Sequence, residues 1–152
     1  MILRSRIEAL YERCLRWEVK HIPRHVAVIQ DGNRRFAKEQ GFDTAIGHRL
    51  GADTTEHVLD WACDLGVQHI TLYTFSTENF RRDKSELKSL FTLFQEKFVA
   101  ILTDERVHQN HIRVQMIGDR SLLPDALLAT IEAAEKATRH YTDYYINIAL
   151  AY

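Results

Sequence analysis

Apolar residues fall at helical spacing at the start of the chain, where Leu3, Ile7, Leu10, Cys14 and Trp17 form one stripe and Arg4, Arg6, Arg13, Arg16 and Lys20 lie mostly outside it. Residues 1–20 are therefore read as an amphipathic helix, either docked on the domain or lying on a membrane surface. Pro23 ends it. From there the periodicity alternates in type. Short runs rich in β-branched residues predict strands over 25–30, 67–75, 112–117 and 144–151. Helices are predicted over 33–39, 48–65, 84–109 and 124–140. Strands separated by long helices call for parallel crossovers, so the expected fold is α/β, a parallel β-sheet flanked by helices on both faces.

Composition narrows the class. A chain of 152 residues with 45% hydrophobic content suits one core, and residues 21–152 carry no linker, repeat or low-complexity stretch. The formal net charge of −1 gives the whole molecule no reason to seek nucleic acid, so any preference for anions has to be local. Two cysteines, Cys14 and Cys63, far apart and inside helix-like patterns, do not make a disulfide framework. With no signal-peptide pattern and no apolar run of about 18 residues, a cytoplasmic protein is expected, with peripheral membrane contact through its first helix.

In a parallel sheet, loops and helix N-termini gather at the carboxyl edge of the strands. Two predicted strand ends carry unusual chemistry there. The first reads Asp31-Gly32-Asn33-Arg34-Arg35-Phe36: an acid that can hold Mg2+, a glycine that permits close backbone approach, and two arginines that can hold a diphosphate. The second is Ser76-Thr77-Glu78-Asn79-Phe80-Arg81-Arg82, with hydroxyls, an acid, an amide and two more arginines. Between them Gly47-His48-Arg49-Leu50-Gly51-Ala52 is read as a helix start whose backbone donors could meet the same anion. A haloacid dehalogenase-type phosphotransferase also places an acid after an apolar strand, but it needs a second aspartate two residues on, where Asn33 stands.

These residues resemble the cis-prenyltransferases, the family that includes undecaprenyl and dehydrodolichyl diphosphate synthases. Residues 28–37 look like the family's first signature, Gly47-His48 with Gly51-Ala52 like its next element, and residues 71–80 like its third. Ile117-Gly118-Asp119 and Ile146-Asn147-Ile148-Ala149 sit where the family has similar strands, and the Arg-Arg-Phe form looks archaeal or eukaryotic.

The resemblance implies condensation of isopentenyl diphosphate onto an allylic prenyl diphosphate with Mg2+, giving a cis-polyprenyl diphosphate. Asp31 would be the Mg2+ ligand, and Gly32, Asn33, Arg34, Arg35 and His48 would cradle the allylic diphosphate. Phe36 stands in for a family tryptophan. Ser76, Thr77, Glu78, Phe80 and Arg82 fall on substrate-binding positions, and Asn79 on a position tied to proton acceptance, where a neutral amide would orient a water or a diphosphate oxygen. Leu87, Leu90, Phe91, Leu93, Phe94, Phe98, Ile101 and Leu102 could line a channel in which each five-carbon unit gains up to about 4 kcal/mol.

Two departures qualify the resemblance. Thr44 stands where many bacterial members carry a diphosphate-contacting arginine. The family also continues past the equivalent of Tyr152 into a portion that supplies the isopentenyl site, a second metal carboxylate and most of a homodimer interface. The expectation is thus an allylic half-site, inactive alone, with an open sheet edge. The alternative is a noncatalytic prenyltransferase-like subunit that binds lipid or a partner; against it stands the intact Asp31-Gly32-Asn33.

Overall fold

The computed structural model describes residues 20–152, so the predicted N-terminal helix lies outside the described residues apart from its last position. Strands β1 (His25–Ile29), β2 (His69–Phe75), β3 (Ile112–Ile117) and β4 (Tyr144–Leu150) form one sheet in the order β1-β2-β4-β3, with every pair parallel. Helices α1 (Asn33–Gln40) and α2 (Thr44–Leu65) join β1 to β2. A 3-10 turn (Thr77–Arg81), α3 (Lys84–Ile101) and α4 (Glu105–Gln109) join β2 to β3. A second 3-10 turn (Arg120–Leu122) and α5 (Asp125–Thr138) return the chain to β4 in the middle of the sheet.

The register sorts side chains by face. Val26, Ile70, Ile146 and Val114 stand in one row across the four strands, with Val28, Leu72, Ile148 and Met116 in the next such row. This apolar face carries the core. Leu90, Phe94 and Phe98 of α3 and Leu127 and Ile131 of α5 pack with Val114, Met116 and Leu150, while Leu59 and Ala62 of α2 pack with Ile70 and Leu72. A register irregularity between Tyr73 and Phe75 sets Phe75 opposite Leu150 and brings its ring into the same core.

The other face is mixed, with Ile29, Tyr73, Ala149 and Ile117 in a row at its carboxyl end and polar side chains towards its start. His25, His69, Tyr145 and Arg113 form a row across all four strands, His69 stacked on Tyr145 at 4.5 Å, and Thr71 beneath them accepts from Asn147. Helices α2, α3, α4 and α5 supply the helical side chains of the hydrophobic clusters on the apolar face, and residues 1–19 lie outside the described residues. Part of the helical cover goes to an edge instead. Thr138 Oγ1 accepts from Val114 N at 3.1 Å and Glu135 Oε1 from Met116 N at 2.9 Å, so α5 satisfies backbone donors of the edge strand β3.

Three of the predicted boundaries that moved did so for a capping reason. Asp43 accepts from Ala45 N at 3.1 Å and starts α2 at Thr44, four residues before the expected His48. Gly66, at φ 80°, closes α2 with Val67 N still bonded to Ala62 O, which delays β2 to His69. The helix expected over 84–109 breaks after Ile101, where Asp104 accepts from Arg106 N at 2.9 Å and starts α4.

Candidate active site

At the carboxyl end of β1, Gly32 adopts φ 95° as the cap residue of α1, a conformation open to glycine that turns the chain at once from strand into helix. Asp31 Oδ1 accepts from Gly32 N at 2.6 Å and Oδ2 from Arg35 Nη2 at 2.9 Å, with the carboxylate side chain 76% exposed. Asn33 lies against α2 so closely that a Cβ at Gly51 would collide with its side chain, and one at Gly47 would come within 2.5 Å of Asn33 O. The two glycines therefore serve close helix packing. Gly47 N is bonded to Asp43 O inside the first turn, so the expected anion-binding helix start at Gly47-His48 does not exist. His48 instead contributes its side chain.

His48 is buried, and its Nε2 lies 3.1 Å from Glu86 Oε1 in the first turn of α3. The same oxygen accepts from Arg82 Nη1 at 3.1 Å and lies 3.5 Å from Arg34 Nε. A cavity of about 1020 Å³ opens beside this cluster. Asp31, Gly32, Asn33, Arg34, Arg35, Thr44, His48 and Arg82 line its mouth at the carboxyl edge of the sheet. Leu72, Ile148, Leu90, Leu93, Phe94 and Phe98 are among its walls, and Val67, Ile112, Tyr144 and Arg106 lie at its other end, beside the starts of the strands.

Between α2 and α3 the cavity is flanked by ion pairs. Arg49, Asp53, Glu56 and Asp60 recur at helical spacing on α2. Arg49 grips Glu96 at 2.8 and 3.1 Å, Lys97 reaches Glu56 at 2.7 Å and Asp53 at 3.4 Å, and Arg106 reaches Asp60 at 3.1 Å and Asp104 at 2.7 Å. The hydrogen bond from Lys97 holds the Glu56 carboxyl below its usual range, and the bond from Arg106 does the same for Asp104.

Not all expected site residues gather here. Ser76, Thr77, Glu78, Asn79 and Phe80 do not line the cavity, and of the second loop Arg82 alone does. Asn79 Oδ1 accepts from Ser76 N at 3.1 Å and caps the 3-10 turn, while Phe80 packs edge-on against Phe75 with centroids 4.9 Å apart. Phe36 is exposed, as are Thr77 and Glu78. Of the expected channel residues, Leu90, Leu93, Phe94, Phe98 and Ile101 line the cavity, whereas Leu87 and Phe91 face a small depression beside α5. Sequence reasoning missed Glu86, whose only signal is its place four residues after Arg82.

A parallel sheet with Arg34, Arg35 and Arg82 at its carboxyl edge and leucine and phenylalanine side chains behind them, in a single cavity, defines the class of the protein as α/β. The family model described as "Putative undecaprenyl diphosphate synthase" matches residues 29–152, and the chain belongs to this family, the cis-prenyltransferases. It is 48% identical over 145 residues to a tritrans,polycis-undecaprenyl-diphosphate synthase (geranylgeranyl-diphosphate specific) of Methanopyrus kandleri, covering 94% of this chain and 54% of that one. A Methanocaldococcus jannaschii protein of the same name is 45% identical over 150 residues, covering 97% and 54%. Among solved structures, lavandulyl diphosphate synthase from Lavandula x intermedia, in complex with dimethylallyl diphosphate, superposes with a TM-score of 0.81 at 32% identity, over 86% of this chain and 55% of that one. A probable undecaprenyl diphosphate synthase from Campylobacter jejuni gives 0.68 at 28% identity, over 87% and 56%. The chain thus spans about half the length of the curated relatives it matches.

Proposed function

We propose that residues 21–152 are the N-terminal portion of a cis-prenyltransferase catalytic domain and carry its allylic half-site. The observation that carries this reading is the 1020 Å³ cavity itself, with three arginines (Arg34, Arg35 and Arg82) and His48 at the mouth and leucine and phenylalanine side chains behind. An allylic diphosphate fits that division: charge-assisted hydrogen bonds hold the head, and burial of the tail contributes about 0.8 kcal/mol per CH2. Names of the archaeal relatives carry geranylgeranyl diphosphate as the specific substrate, and we take that as the primer for this chain.

Asp31 is the metal ligand in this reading. Mg2+ is commonly held by one or two carboxylates together with substrate phosphates, a role the exposed Asp31 carboxylate suits. When bound, Mg2+ would neutralise charge on the departing diphosphate. Arg34, Arg82 and His48 add donors to the same charge, and the apolar walls keep water from the allylic cation as the carbon–oxygen bond breaks. The double bond of isopentenyl diphosphate attacks that carbon, and one proton passes to a diphosphate oxygen or a water to leave the new cis double bond. Asn79 is proposed to act on this step indirectly, by fixing the turn that presents Arg82. The isopentenyl site, a homodimer interface and peripheral membrane contact from the cytoplasm are assigned to the complete protein; among the described residues no helix is long and apolar enough to cross a membrane.

Calorimetry of the 152-residue chain with geranylgeranyl diphosphate, together with labelled isopentenyl diphosphate and Mg2+, tests the proposal. Binding of the allylic ligand without prenyl transfer is expected, because near-attack geometry needs both substrates held together. No allylic binding would remove the half-site, and efficient chain elongation would show that both sites lie within these residues.

A further inference from the structure

One carboxylate oxygen organises two arginines and an imidazole that arrive from different elements. Glu86 Oε1, on α3, lies 3.1 Å from His48 Nε2 on α2, 3.1 Å from Arg82 Nη1 after the 3-10 turn and 3.5 Å from Arg34 Nε on α1. The Glu86 and His48 side chains are only 10% and 9% exposed. Arg34, His48 and Arg82 line the cavity mouth, whereas Glu86 is not among its lining residues. Glu86 therefore stands behind these three side chains, and each arginine keeps donors free for a ligand in front, since a guanidinium carries five and the contacts to Glu86 engage one apiece.

Burying a carboxylate such as Glu86 is costly without partners, and removing one member of such a group leaves the others uncompensated. We propose that Glu86 is a positioning residue, which aims His48, Arg82 and Arg34 at the head group of an anionic ligand. The inference rests on the reading of the mouth as a diphosphate cradle and adds how that cradle is held together. Because a carboxylate can only accept, its bond to His48 places a proton on Nε2 and fixes the orientation of the ring.

The sign of one substitution separates this role from its rivals. Glu86→Gln removes a negative charge beside an anion site, so a carboxylate that merely repels or competes with the ligand gives tighter binding when neutralised. A positioning carboxylate gives weaker binding. A first-turn acid that only favours the α3 dipole leaves affinity alone and lowers thermal stability.

Calorimetry with inorganic pyrophosphate on the 152-residue chain is expected to show a loss on the order of tenfold for Glu86→Gln. A similar loss is expected for Glu86→Asp, which keeps the charge but withdraws it by one methylene. In the Glu86→Gln background, His48→Ala and Arg82→Ala should each cost less than in the wild type, the mark of a shared network. Nitrogen-15 spectra of the wild-type imidazoles need no variant to fold: the His48 Nε2 proton should stay hydrogen-bonded when pyrophosphate saturates the site. Wild-type or tighter binding by Glu86→Gln, or loss of that Nε2 signature on ligand addition, overturns the role of Glu86 and leaves the cradle standing. Failure of the wild-type chain to bind pyrophosphate or an allylic diphosphate overturns the cradle and this inference with it.

Discussion

Asp31 commits one oxygen to Gly32 and the other to Arg35, so its exposed carboxylate is held in place at the mouth. In a chain extended to the full length of its relatives, Asp31→Ala is expected to lower turnover far more than it weakens allylic binding, since charge on the leaving group develops mainly in the transition state. Steady-state and binding measurements on that protein check the split, and unchanged turnover would remove the metal assignment. Arg35→Ala and Arg82→Ala should each weaken an allylic diphosphate by about 1.5–3 kcal/mol, as charge-assisted hydrogen bonds do. Calorimetry that finds no loss for either would place the anion elsewhere. Much of this site was legible from the sequence because an acid, a glycine and arginines at the end of an apolar strand have few structural duties there. Glu86 was not, because its most telling partner, His48, is 38 positions away and only the fold brings them together.

At the scale of elements, Gly47 and Gly51 turn a helix pair into a fitted joint. Any side chain at Gly47 meets Asn33 O at 2.5 Å and Ala37 Cβ at 2.7 Å, contacts that rigid helices cannot relieve cheaply. Gly47→Val is expected to cost about 1–3 kcal/mol in overpacking, visible as a lower urea midpoint. The seam between α2 and α3 depends on charge in a different way. The Glu56 and Asp104 carboxyls titrate below their ordinary values of 4.5 and 3.8 in the folded chain, so the stability they contribute is complete above those values and is lost as pH falls through the depressed ones. Thermal melts should therefore lose stability on acidification below about pH 4.5 and less steeply at high salt, because the partners are about half exposed and screened. An acid profile that is flat, or indifferent to salt, would show that the ladder holds nothing. Strand and helix types were readable from periodicity, but boundaries followed capping side chains: Asp43, Gly66 and Asp104 each outvoted the hydrophobic pattern, which continues across the break at residues 102–104.

For the molecule as a whole, the sheet's two faces have different characters. One carries the core and the cavity; the other presents a row of His25, His69, Tyr145 and Arg113 that hydrophobic periodicity could not have revealed, since it is set by register between strands far apart in sequence. The edges differ as well. Thr138 and Glu135 occupy the donors of β3, whereas β1 has β2 as its sole strand partner among the described residues. Among the described residues the sheet therefore offers a neighbouring strand one open edge, β1, while α5 answers two of the edge donors of β3.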